Sequence, residues 1–239
     1  MRSARLLAIA AAAAALVMLL STGPGTRLGL WPWQTGLSLL RWAAYTGLAA
    51  GVAGVVLLLL HALPRWRPLG FAVPVMVLLL SVASFGPPLY MLSQAKKAPP
   101  IHDITTDTEH PPQFVALLPE RRKAPNGFEY GGREIAAQQA KAYPDIVPRT
   151  LAMQPADALQ HSLDAARALG WRIVATDGIE GRIEATATTT WFGFEDDIVI
   201  RVQPAGQGSR VDVRSASRVG RSDVGANAKR IREFLAKLT

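Results

Sequence analysis

Three apolar runs fill most of the first 95 residues of this 239-residue chain, and they constrain its fold more than any other feature. They span residues 5–22, 36–63 and 69–92. A helix needs about 20 predominantly apolar residues to cross the hydrocarbon core of a bilayer, which the second and third runs supply. The first has a core of fifteen uncharged residues, 6–20, behind Arg2 and Arg5. That length suits a signal-peptide core or a short membrane helix. No A-x-A site follows it, and Pro24 crowds any cleavage point. The expectation is an uncleaved helix and three transmembrane spans.

Charge supports this assignment. Residues 1–100 hold eight basic residues and no acidic one, whereas residues 101–239 hold eighteen of each sign. The net charge of +8 therefore belongs to the flanks of the apolar runs, where Lys and Arg set membrane orientation. A nucleic-acid partner loses its electrostatic basis. Arg2, Arg5, Arg65 and Arg67 suit one face, the cytoplasmic one, so three crossings place residues 93–239 outside. Lys96 and Lys97 run against that placement. Trp31, Trp33, Trp42, Trp66 and Tyr90 fall at span ends, where amphipathic rings prefer the headgroup region. Ala43, Gly47 and Gly51 form a small-residue ladder that lets helices approach closely, within one bundle or across a homodimer. No Asp or Glu lies inside a span, which disfavours a proton or ion pathway. The chain has no cysteine, so disulfides, thiolate catalysis and Cys-bound metals are excluded.

Beyond the spans, residues 96–130 read as a Pro-rich extended linker. His102, His110, Asp103, Asp107 and Glu109 lie there, but no regular spacing fixes a ligand geometry, so neither metal nor cofactor is expected. Residues 131–239 read as a folded α+β domain. Helices are expected over 133–142, 155–169 and 224–238. The second has Pro155 in its first turn and Gly170 after its end. Leu159, Leu163, Ala166 and Leu169 share one of its faces. Strands are expected over 171–176, 181–190, 196–203 and 209–218, separated by glycine-bearing turns. These predict an antiparallel four-stranded meander packed by two helices.

The segments "PPIHDITTD", "PPQFVAL", "AYPDI", "DDIVIRV" and "VDVRSASRVGRSDVGANAKRIREF" closely resemble the bacterial and plastid family catalogued as domain of unknown function 1499. The resemblance covers residues 98–238. Its polar signature maps onto Arg214, Ser215, Ser217, Arg218, Gly220, Asp223, Gly225, Asn227, Arg230 and Ile231. The family has no established activity, so the resemblance implies a domain boundary and no mechanism. With the spans it implies a multi-pass protein of a bacterial inner membrane with a periplasmic C-terminal domain.

Alternation along 210–219 places Val211, Val213, Ser215 and Ser217 on one strand face, and Arg210, Asp212, Arg214 and Arg218 on the other. Asn227 falls on the apolar stripe of the last helix, with Ile231, Phe234, Leu235 and Leu238. Two readings follow. In one, Asn227 latches the helix to the strand through Ser217 or a strand-end carbonyl, Asp223 caps the helix, and Arg214 or Arg218 pairs with Asp196 or Asp197. In the other, Arg214, Ser215, Ser217, Arg218, Arg221 and Asn227 bind an anion or a lipid headgroup beside the helix N-terminus. Trp191, Phe192 and Phe194 either cap the core or present an apolar contact. No nucleophile elbow of the serine-hydrolase kind surrounds Ser215 or Ser217, so no catalytic residue is assigned. The functional expectation is a membrane-bound binding or assembly module acting on an envelope component: an anionic ligand, a lipid headgroup or a protein. The alternative is a periplasmic enzyme using the Arg/Ser/Asp/Asn cluster.

Overall fold

The computed structural model describes residues 2–61, 63 and 70–238. The expected turn holding Arg65, Trp66 and Arg67 lies outside the described residues. The chain divides into two compact units, Met1–Gln94 with Thr190–Gly193, and Ala95–Thr189 with Phe194–Thr239.

The first unit holds three helices, α1 (Arg2–Arg27), α2 (Trp33–His61) and α3 (Ala72–Lys97). Each is long and apolar enough to cross a membrane. Small side chains set their spacing. Gly36, Ala43, Gly47, Ala50, Gly51 and Gly54 are all buried on α2. A Cβ added to Gly47 would stand 2.9 Å from the Cβ of Ser84, and one on Gly51 would stand 3.4 Å from that of Ser81. Gly47 and Gly51 of the small-residue ladder thus lie against α3 of the same chain.

The second unit is built on one antiparallel sheet of six strands. They are β1 (Asp103–Thr105), β2 (Arg149–Leu151), β3 (Arg172–Asp177), β4 (Arg182–Thr188), β5 (Glu195–Ala205) and β6 (Gly208–Ser217). The order is β1-β6-β5-β4-β3, and β2 also pairs with β6. This corrects the expected four-stranded sheet. Strands β3 to β6 form the meander that alternation and glycine turns predict. The two added strands share the outer edge of β6: β1 pairs with Arg214–Ala216 and β2 with Ser209–Val211. Each is three residues long, too short to show a period, and "DIT" sits in the proline-rich stretch read as linker. They cap an edge that β6, ten residues long, would otherwise expose.

Helices α4 (Leu118–Lys123), α5 (Gly132–Ala142), α6 (Pro155–Ala168) and α7 (Ala226–Lys237) complete the unit. On one sheet face Ile183, Ile198, Ile200, Val211 and Val213 meet Leu159, Leu163 and Ala166 of α6 and Ile231, Phe234 and Leu235 of α7 in a single apolar core. Trp171 stacks on Phe234 there, with ring centroids 5.5 Å apart.

The opposite face departs from the usual pattern for an antiparallel sheet, in which one face packs and the other meets water. Its side chains are polar, yet Glu184, Thr186, Asp197, Asp212 and Arg214 are buried. Phe114, Leu117, Val199 and Ala216 form only a small apolar cluster between them. Charged hydrogen bonds supply most of the specific contact on this face, because buried polar groups must be paired.

Candidate functional site

The end of β6 and the start of α7 hold the serine–asparagine cluster. Asp223 precedes the helix and accepts backbone hydrogens from Gly225 and Asn227, each at 2.8 Å. Burial pushes the Asp223 carboxyl above its ordinary pKa, against the lowering effect of these two N–H groups. Val224 has a φ of +55°, an uncommon value for a β-branched residue, and Gly225 follows in the left-handed region. That local path turns the first residues of α7 toward β6.

Asn227 is completely buried. Its Nδ2 donates to Ser217 Oγ at 2.9 Å and to the His102 carbonyl at 3.0 Å. Its Oδ1 accepts from Ser215 Oγ at 2.6 Å and from Arg230 Nη1. All four hydrogen-bonding positions of the amide are therefore filled. Arg230 Nη1 also donates to Ser215 Oγ at 3.0 Å, and its Nη2 donates to Asp196 Oδ2 at 2.6 Å. Asn227 thus latches α7 to β6 and, through the His102 carbonyl, to the approach to β1.

Arg214 and Arg218 lie across the sheet from this latch. Arg214 forms a two-point pair with Asp103, at 3.0 and 2.8 Å, and donates to the carbonyls of Pro112 and Phe128. Its guanidinium carbon lies 4.9 Å from the Phe114 ring centre and 5.7 Å from that of Tyr130. Burial, with a contribution from Asp103, pushes the Tyr130 hydroxyl up to about 12. Arg218 forms a two-point pair with Asp197, at 2.9 and 2.8 Å, and also engages Glu195. Arg121, from α4, donates to the Ala216 carbonyl at 2.9 Å and lies 3.7 Å from Asp197. The carboxylate of Glu184 accepts the backbone hydrogens of Val115, Ala116 and Leu117 at 2.9–3.0 Å, fixing the chain that enters α4.

The residues read from sequence as one anion site therefore occupy two places. Ser215, Ser217 and Asn227 share the helix face, whereas Arg214 and Arg218 share the other face and already hold carboxylates. Arg221 is exposed in the loop before α7. Asp197 takes the partner expected of it, and Asp196 pairs with Arg230. Sequence reasoning missed Asp103, Arg121 and Glu184 as members of the buried network. Asp103 stood in apparent linker, and Glu184 on a strand face that alternation assigns to water. Asp107 accepts from Arg201 at 2.9 Å and from Arg210 at 3.0 Å, and Asp103 holds Arg214, so two of the three carboxylates near His102 and His110 have arginine partners.

Trp191 and Phe192 belong to the helical unit. Within it, Trp191 Nε1 donates to Thr22 Oγ1 at 2.9 Å, and Phe192 is buried. Phe194 stays with the sheet, where its backbone N–H donates to Thr189 Oγ1 at 2.8 Å.

A cleft of about 280 Å³ opens beside the latch. Leu169, Gly170 and Trp171 form one wall, Ala187 and Thr188 the end of β4, and Ala226, Lys229, Arg230 and Glu233 the flank of α7. Arg230 belongs to both features, lining the cleft while its guanidinium is held by the latch.

Three helices long and apolar enough to cross a membrane, ahead of an α+β domain whose sheet is packed on both faces, define the class of protein. Residues 103–238 match the family described as "Protein of unknown function (DUF1499)", and the chain belongs to that family. Comparison with curated proteins gave no match.

Proposed function

We propose that this protein is a binding module of the cell envelope, anchored by α1–α3 and displaying its α+β domain on the periplasmic side of a bacterial inner membrane. One observation supports this reading above the others. Ser215, Ser217, Asn227, Arg214 and Arg218 all bond to one another or to neighbouring groups of the fold, whereas the cleft beside them is open, with Lys229, Arg230 and Glu233 on one flank and apolar residues on another. The polar signature thus serves to hold α7 and β6 in register, and the cleft is the surface that receives an envelope component. The basic flanks Arg2 and Arg5 support the orientation.

Two measurements test the proposal. Alkaline phosphatase fused at the C-terminus should be active in cells; a well-expressed but inactive fusion overturns the orientation. A photo-cross-linking side chain at Thr188, on the cleft wall, should form adducts in intact cells. The same side chain at Ile179, which is 97% exposed on the β3–β4 turn, is the control. Equal adducts from both positions overturn the cleft as the receiving surface.

A further inference from the structure

We infer that the cleft beside α7 takes a ligand with a single compact anionic head, a carboxylate or a phosphate monoester, joined to a small apolar body. The inference rests on the cleft being a binding surface and adds the chemistry of what enters it.

Arg230 is the centre of the case. Its Nη1 has acceptors in Ser215 and Asn227, and its Nη2 has one in Asp196. A guanidinium carries five N–H donors. Three are engaged, so its Nε–H and one Nη2–H meet no acceptor among the described residues. Those two donors can meet the two oxygens of a carboxylate or phosphate in the two-point geometry for which arginine is suited. The Arg230 side chain is only 12% exposed, and the latch holds its other donors in place. Such a donor pair loses little freedom on binding, which is the benefit of preorganisation.

The rest of the cleft agrees with an anion on an apolar stem. Lys229 brings a second cation to the same flank. Its own partner, Glu233, is 3.7 Å away in an exposed i,i+4 pair, a weak contact that an anion can displace. Leu169, Trp171, Ala187 and Ala226 provide apolar wall, and Gly170 adds no side chain that would narrow it. The volume suits a small ring or short chain rather than a long acyl tail. Asp196 neutralises Arg230 through Nη2, the nitrogen that also supplies one arm of the fork, so a free inorganic anion gains little without its apolar part.

The full-length chain in nanodiscs of zwitterionic lipid tests this with benzoate and phenyl phosphate as probes. Benzyl alcohol serves as the neutral control and inorganic phosphate as the head-only control, read by ligand-observed NMR saturation transfer. Both aromatic anions should bind, with the two controls at least about tenfold weaker, since each forgoes one of the two contributions. Lys229→Ala should weaken the anions by about three- to tenfold at unchanged melting temperature, because that side chain is exposed. Arg230→Lys should weaken them by about tenfold or more, because it retains charge and loses the fork. Benzyl alcohol binding as well as benzoate, or Lys229→Ala binding both anions like wild type, overturns the inference even if Arg230→Lys is too unstable to assay. Repeating the titration in nanodiscs with anionic lipid separates the sources: competition identifies a lipid headgroup, and unchanged affinity a soluble anion. Absence of probe binding alongside Thr188-specific adducts in cells would sink the ligand chemistry while leaving the binding module intact.

Discussion

Arg214 and Asp103 stand 111 residues apart in sequence and face each other as a two-point ion pair, Nε to Oδ1 at 3.0 Å and Nη2 to Oδ2 at 2.8 Å. The pair joins the middle of β6 to β1, and its arginine side chain is wholly buried. Breaking such a pair from one side leaves an uncompensated buried charge. Replacing both partners with apolar residues removes that penalty. Arg214→Met alone should therefore destabilise the domain by about 3–5 kcal/mol, and Arg214→Met with Asp103→Leu should recover most of the loss. Chemical denaturation of the full-length protein in detergent, followed by near-ultraviolet circular dichroism, gives the comparison. A double variant no more stable than the single one contradicts the account.

Asn227 provides a second test, because four groups lose a partner when it goes. Asn227→Ala strands Ser215, Ser217, Arg230 and the His102 carbonyl, at about 1–3 kcal/mol for each group that water cannot reach. Ser217→Ala removes one acceptor and leaves Asn227 with three partners. The melting temperature should fall further for Asn227→Ala than for Ser217→Ala. The reverse order would mean that Asn227 does not anchor α7.

The difference between these residues explains how much of the domain the sequence made legible. The α6 and α7 stripes and the β3–β6 meander follow from apolar spacing over 6 to 14 residues, which local periodicity can show. Asn227 betrayed itself as a polar residue on an apolar stripe, and its Ser217 and Asp223 contacts lie within ten residues of it. The Arg214–Asp103 pair had no such signal. Alternation puts Arg214, Asp212 and Glu184 on a face that ordinarily meets water, and nothing local reveals that residues 103–130 return to cover it. The buried charge network is tertiary information. The cleft also went unseen, since its walls come from three separate segments.

The acid response should separate two aspartates of opposite character. Burial pushes Asp223 above the ordinary carboxylate pKa, so folding favours its protonated form. Its contribution is fully present below the unfolded pKa and is lost as pH rises through the raised folded value. Asp107 is also pushed up by burial, but the His110 N–H and the Arg201 and Arg210 guanidinium groups outweigh this and hold it below the ordinary value. Its contribution is present above the unfolded pKa and lost as pH falls through the depressed folded value. On acidification through the carboxylate range, wild type should therefore gain stability relative to Asp223→Asn and lose stability relative to Asp107→Asn. Urea midpoints of the three proteins between pH 7 and roughly pH 3 check this, and matching slopes for the two variants would refute it.

The helix contact between Gly51 and Ser81 can be read out covalently, because the chain has no cysteine of its own. A Cβ on Gly51 would stand 3.4 Å from that of Ser81, at the short end of the spacing a disulfide spans. The Gly51→Cys/Ser81→Cys protein should form an intramolecular bridge on mild oxidation, seen as a faster-migrating monomer on non-reducing gels. Gly47 lies one turn away on the same flank, where even a Cβ would press to 2.9 Å from Ser84. Adding Gly47→Leu should force α2 from α3, at about 1–3 kcal/mol for overpacking, and suppress the bridge. Gly51→Cys alone should remain monomeric after oxidation. A cross-linked dimer from that single variant would instead place the small-residue ladder at a seam between two copies, and the packing of α2 on α3 within one chain would have to give way.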